Sequence, residues 1–198
     1  MKQESHRLLG HHLLNLLQEQ PKRRHTRAFL IGCVEPDRNP LSYLKGSIRA
    51  KWFYGHNYQN ADRWIARHIR TLQAKDHWNL WNYYCMGKLI HYTSDAFTYV
   101  HNNCFTDSIA EHRAYENRLQ EQFFISLEKD GYSARLCRRD LNEHFRSIHE
   151  RYLKTKADVY HDCHYILNMT DWLFCQLFPE AMPAAKPVPA FARTAAAF

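Results

Sequence analysis

Apolar residues recur along most of this chain at intervals of three and four, the spacing of one helix face, and no stretch alternates with the period of two that marks a strand. Leu8, Leu9, Leu13, Leu16 and Leu17 mark a first helix, capped by Ser5 and ended before Pro21. The next segment, AFLIGCVEPDRNPLSYLKGS, holds two Pro and two Gly and reads as an irregular connection. A second helix follows from about Asp62 to Lys75, with Trp64, Ile65, Ile69 and Leu72 facing inward. A third runs from Trp78 to about Tyr99, and a fourth from about Thr106 to Lys129, stopping at Asp130-Gly131. Two more cover Ser133 to Leu153 and Lys156 to Phe178. The pattern predicts an all-α, multi-helix bundle that occupies residues 1–178 as a single domain, with residues 179–198 as a loosely held Pro/Ala-rich tail.

Composition agrees with a packed core. The 198 residues are 45% hydrophobic with only 6 Gly, and 12 Tyr, 11 Phe and 5 Trp supply large amphipathic side chains. No run approaches the roughly 18 apolar residues of a membrane span. The opening MKQESHRLLGHH lacks the apolar stretch and small-residue cleavage site of a secretory leader, so a cytoplasmic location is expected. Six scattered cysteines without a CxxC read as small buried hydrophobes. The net charge of +7 favours anionic partners, and much of it sits in PKRRHTR, Pro21 to Arg27, which reads as a solvated loop.

Candidate chemistry is concentrated in HYTSDAFTYVHNNCFTDSIAEHRAYE, from His91 to Glu116. His91/Asp95 and His112/Glu116 are each four residues apart, so each pair presents two ligands on one helix face. Chance alone supplies about three such pairs in a chain this rich in His and acid, and Asp140/His144 reads as a surface ion pair of that kind. The order of the set carries more weight. His101 lies six residues past Asp95, where Asn102-Asn103 ends the third helix and lets it lean toward the fourth. Five imidazole and carboxylate groups on consecutive helices, with no thiolate, form the ligand set of hydrolytic zinc sites.

In these residues the chain resembles the zinc-dependent phospholipases C, whose helical fold is shared with fungal single-strand-specific zinc nucleases. HxxxDx5H followed by HxxxE is reproduced from His91 to Glu116 in order and orientation. GCVEPD, Gly32 to Asp37, resembles the family's Gly-x-x-x-Pro-Asp segment, and FYGHNYQ resembles the aromatic-flanked histidine that follows it. SHRLLGHHLLNLL resembles the opening helix with its early metal-binding histidine. The resemblance implies that Asp37, His56, His91 and Asp95 hold one zinc ion, and that His101, His112 and Glu116 hold a second. Asp95 would bridge to a third, with His6 as a further ligand and Glu4 or water completing the site. Two or three Zn2+ per chain are thus expected. Asp37 is the implied catalytic carboxylate, orienting or deprotonating the water that attacks phosphorus.

The implied substrate is a phosphodiester: phospholipid first, with a nucleotide-type diester as runner-up on the same site. Peripheral membrane contact is compatible with this, and no stable nucleic-acid complex is expected, since no RRM-like, helix-turn-helix or Gly-rich phosphate motif appears. A non-catalytic, zinc-stabilised helical binding module is the alternative of a different class. A carboxylate di-iron bundle needs paired ExxH motifs, which the chain lacks. Among the other histidines, His11 and His12 are positional alternatives to His6. DVYHDCHY, with His161 and His164, reads as packing, and His25, His68, His77, His144 and His149 read as surface residues. Lys88, one turn before His91, reads as solvated.

Overall fold

The computed structural model describes residues 1–39, 58–105, 108–129, 140–156 and 158–178. Seven α-helices and one 3-10 turn account for most of them, with no strand among the described residues. In chain order they are α1 (Gln3–Leu14), α2 (Arg23–Arg38), α3 (Tyr58–Gln73), α4 (Leu80–Ala96), α5 (Ile109–Lys129), α6 (Leu141–Tyr152) and α7 (Val159–Leu177), with the 3-10 turn at Tyr99–His101 between α4 and α5. The all-α expectation holds. The proposed tail, 179–198, and His56 lie outside the described residues. No helix among the described residues is long and apolar enough to cross a membrane.

The central element is α4, which packs against α1, α2, α3 and α7. It starts where Asn79 accepts the backbone N–H groups of Trp81 and Asn82 while the Asn82 side chain caps the Asn79 N–H, a reciprocal box that satisfies three orphan donors. From Tyr83 on, all its residues but Tyr84 are buried, including Lys88, His91, Thr93, Ser94 and Asp95. A helix buried on every side is normally apolar throughout. Here its second half carries ionisable groups that must find partners inside. Below it, Phe97 is fully buried in a cage of Phe145, His149, Tyr152 and Tyr165 rings at 5.4–5.9 Å. Burying such a ring contributes about 2–3 kcal/mol.

Two sequence expectations need correction. The segment read as an irregular connection is helical as far as Arg38, and the basic run opens that helix instead of forming a loop. Gly32 and Pro36 lie inside α2. Pro36 has no N–H to give the helix, and α2 ends two residues later, where Asn39 N–H closes onto the Glu35 carbonyl. Gly32 is there because α2 touches α4 backbone to backbone: a Cβ on Gly32 would overlap the Tyr84 carbonyl oxygen, and one on Gly87 would overlap that of Phe29. His25 stacks on Tyr83, Phe29 meets Gly87 and Cys33 meets His91, always at the same sequence offset, so the two helices run parallel. The second correction is at α1, which begins at Gln3 after Lys2; Ser5 is a buried residue inside it and caps nothing.

Candidate metal centre

The close parallel contact of α2 and α4 sets the first half of the site. The Cys33 carbonyl accepts a hydrogen bond from His91 Nδ1 at 2.9 Å, which turns Nε2 of His91 toward Asp95 Oδ2 at 3.2 Å and Asp37 Oδ1 at 3.6 Å. From α1, His6 stacks on His91 with ring centroids 3.9 Å apart. Its Nε2 lies 3.4 Å from Asp95 Oδ1 and 3.9 Å from Asp37 Oδ2. The tautomer of His6 follows from Ser94. That hydroxyl has one proton and donates it to the His91 carbonyl at 2.8 Å, so at 3.1 Å it accepts from His6 Nδ1. His6 Nε2 therefore bears a lone pair.

The second half is built where the chain leaves α4. His101 ends the 3-10 turn, and its Nε2 lies 3.2 Å from Glu116 Oε1 and 3.9 Å from Asp95 Oδ1. His112, one turn before Glu116 on α5, places Nε2 3.5 Å from the same Oε1. The ligand atoms of His6, His91 and Asp95 lie within 4.8 Å of one another, and so do those of His101, His112 and Glu116. Asp95 joins the two sets. Its Oδ2 faces His91, while its Oδ1 faces His6 and His101.

Electrostatics point to positive charge at this centre. Burial drives His6 down to about 4, so at neutral pH its lone pair faces two carboxylates across 3.4–3.9 Å. An acceptor facing acceptors in a dry interior is unfavourable unless a cation lies between them. His6 Nε2 has no hydrogen-bond partner among the described residues. The α-amino group of Met1 shows the same demand. It donates to Asp95 Oδ1 at 2.7 Å and lies 3.1 Å from His101 Nε2 and 3.4 Å from Glu116 Oε1. Burial lowers its pKa, yet the carboxylates of Asp95, Glu116 and Asp37 outweigh that and lift it to about 10. Burial likewise pushes Asp95 and Glu116 up, and the surrounding cationic groups win, holding both well below the usual carboxylate range. The donor set, two His/carboxylate clusters sharing one carboxylate, fits zinc.

A family model described as zinc dependent phospholipase C matches residues 5–170. The chain belongs to that family. No curated protein and no solved structure gives a significant match. The match spans both halves of the centre and extends past Glu116 into α7, beyond the stretch whose motifs are readable by eye.

For a zinc-dependent phospholipase C, the surroundings of the ligands matter as much as the ligands. Asp162 on α7 is the clearest case. It is buried, and its carboxylate accepts the Tyr99 N–H, the Tyr115 hydroxyl and the Tyr152 hydroxyl, each at 2.8 Å. Tyr99 stands two residues before His101 and Tyr115 immediately before Glu116, so one carboxylate ties together both elements of the second cluster. Burial raises Asp162 to about 6 against those three donors, which leaves it ionised at neutral pH. Asn102 adds to the clamp by donating to the Ala96 and Thr98 carbonyls at 3.0 and 2.9 Å. Asp162→Asn is expected to weaken metal binding at the His101 cluster about 10–100-fold with little change at the His91 cluster, read by competition with a chromogenic chelator. Equal losses at both clusters would assign Asp162 a general stabilising role instead.

Several other expectations resolve here. His12, the positional alternative to His6, pairs with Asp171 of α7 at 3.1 Å, and His11 is exposed. Glu4, expected to help complete a third site, is exposed and accepts from Gln120; the Met1 nitrogen is the group found beside Asp95. Spacing gave no sign of it, because the first residues of a chain carry no periodicity. Lys88 is buried against Glu35 at 2.7 Å, not solvated, and His149 is buried between the Ala96 carbonyl and Asn102. Asp140 caps α6 through Glu143 N–H, while His144 packs on Trp172.

Proposed function

We propose that this chain is a zinc-dependent phosphodiester hydrolase that acts on phospholipid in the phospholipase C manner. The observation that carries the reading is Asp95, one buried carboxylate with Oδ2 toward His91 and Oδ1 toward His6 and His101. A carboxylate shared in this way would hold two ions close enough to act on one phosphoryl group. Asp37, His91 and Asp95, with His56, are assigned to one ion, and His101, His112 and Glu116 to a second. His6 and Asp95 are assigned to a third.

When bound, zinc supplies charge neutralisation for the phosphoryl oxygens and acidifies water. The protein supplies orientation and proton handling. Cys33 and Ser94 fix the rings of His91 and His6 with Nε2 inward. Asp37 is assigned to the attacking water because it is partly open to solvent, 22% exposed at the side chain, whereas His6, His91 and Asp95 are sealed in. Its carboxylate would hold that water and accept its proton as oxygen bonds to phosphorus. The bond to the leaving alkoxide then breaks, and the alkoxide takes a proton from solvent.

Hydrolysis of p-nitrophenylphosphorylcholine is expected to need metal: a chelator abolishes it and zinc restores it. Asp37→Asn should lower kcat by about 10²–10⁴, with at least two zinc ions retained by elemental analysis. Protein that holds its zinc yet leaves both this ester and bis-p-nitrophenyl phosphate intact would be a binding module, and the hydrolase reading would be abandoned.

A further inference from the structure

Away from the metal centre, the solvent face of α2 carries a cationic stripe beside the most exposed large apolar side chain among the described residues. Arg24, Arg27, Ile31 and Arg38 follow one another at steps of three, four and seven, which places them on one side of the helix, and all four are exposed. Because Gly32 abuts the Tyr84 carbonyl, the parallel α4 borders this stripe with Trp81 and Tyr84, whose rings lie 5.1 Å apart. Trp81 is 65% and Ile31 56% exposed. The acid on this flank, Glu35, is engaged by Lys88 at 2.7 Å, so the arginine charge is not cancelled there. On the other flank a groove of about 470 Å³ runs between α1 and α2, with Leu30 and Val34 on its floor and Arg7 at its rim; its acid, Glu4, accepts from the Gln120 amide. Arg38 directly follows Asp37, so the face leads to the proposed catalytic carboxylate.

A helix face of exposed arginines and Ile31, with Trp81 exposed on the neighbouring helix, fits a surface that has anionic headgroups outside and hydrocarbon within. Arginine meets phosphate in fork geometry, and tryptophan prefers the headgroup level. A nucleic-acid backbone offers the phosphates without the apolar layer. An obligate protein interface would deplete charge at its centre, not collect it.

We propose that this face docks the protein on bilayers of anionic phospholipid, with the arginines on the headgroups and Trp81 and Ile31 in the interface. The choice of lipid as partner rests on the phospholipase reading, but the docking is read by binding alone. The protein is sedimented with vesicles of phosphatidylcholine, and with vesicles in which about a third of the lipid is phosphatidylglycerol. Binding should be more than about tenfold tighter to the anionic vesicles and should fall steeply with added salt. Arg24→Gln with Arg27→Gln should weaken it about 30-fold, and Trp81→Ser about tenfold, with unchanged far-UV circular dichroism. No binding by the wild type, binding indifferent to these substitutions, or tighter capture of a single-stranded oligonucleotide than of vesicles would each overturn the proposal. Turnover of a soluble short-chain diester is measured on the same wild-type preparation. Turnover without vesicle binding removes the docking face and leaves the hydrolase; vesicle binding without turnover does the reverse.

Discussion

Asp95→Asn is expected to cost both ions it is assigned to share, that of His91 and that of His6, and to bring diester hydrolysis down by more than about 10³-fold. Substituting a group that merely supports a ligand costs about 10–100-fold in metal affinity. Asp95 is itself placed to ligate, and to ligate twice, because Oδ2 faces His91 and Oδ1 faces His6. Glu116→Gln makes the informative comparison. Among the described residues Glu116 faces His101, His112 and the Met1 nitrogen, so its loss should remove one ion and leave the His91 cluster loaded. Elemental analysis after dialysis against a weak chelator separates the two patterns. The metal-free protein should suffer as well. Neutralising Asp95 leaves the buried Met1 ammonium without its nearest carboxylate, and breaking one side of a buried ion pair costs about 3–5 kcal/mol. An Asp95→Asn protein that keeps its full zinc complement would remove the shared-ligand argument.

Six of the seven helices were legible from hydrophobic periodicity because they bury one stripe or several, and the stripe repeats every three to four residues. Trp64, Ile65, Ile69 and Leu72 of α3 are all at least partly buried as that pattern requires. The second helix was not legible for a physical reason. Gly32 and Pro36 are the residues that ordinarily punctuate helices, and only the neighbour, α4, explains why a glycine belongs there. The site was readable in outline, since helical spacing makes His91/Asp95 and His112/Glu116 partners before any tertiary contact is known. Their mutual approach was not, because it depends on the 3-10 turn at Tyr99–His101 held by Asp162, a residue some sixty positions on. Asp162, read as packing, shows what spacing misses. Its partners are distributed over three elements, and no local pattern announces a carboxylate whose work is done through tyrosines.

The glycine pair carries the other large expected effect, and the sign can be argued from geometry. Gly→Ala inside a helix ordinarily gains about 1 kcal/mol in propensity. At Gly32 and Gly87 that gain is reversed, because the added methyl would overlap the carbonyl oxygens of Tyr84 and Phe29, and backbone cannot swing aside as a side-chain tip can. Gly32→Ala must therefore part α2 from α4. The cost should be about 3 kcal/mol or more, at the upper end for overpacking a tight core, and should lower Tm by about 10 °C for a chain of this size. Gly10 is the matched control: its added methyl would meet Leu30 Cδ2 at 3.0 Å and Cys33 Sγ at 3.1 Å, both side-chain atoms that can yield, so Gly10→Ala should be close to neutral. Parting the helices also acts on the chemistry. The 2.9 Å bond from His91 Nδ1 to the Cys33 carbonyl would lengthen, and Asp37, one turn further along α2, would withdraw from His91. Zinc affinity at the His91 cluster should then fall together with thermal stability, while the His101 cluster, built on α5 and the 3-10 turn, is spared. If Gly32→Ala melts with the wild type and binds zinc as tightly, the backbone contact does not set the geometry of the centre, and the first cluster is held by something other than the crossing of α2 and α4.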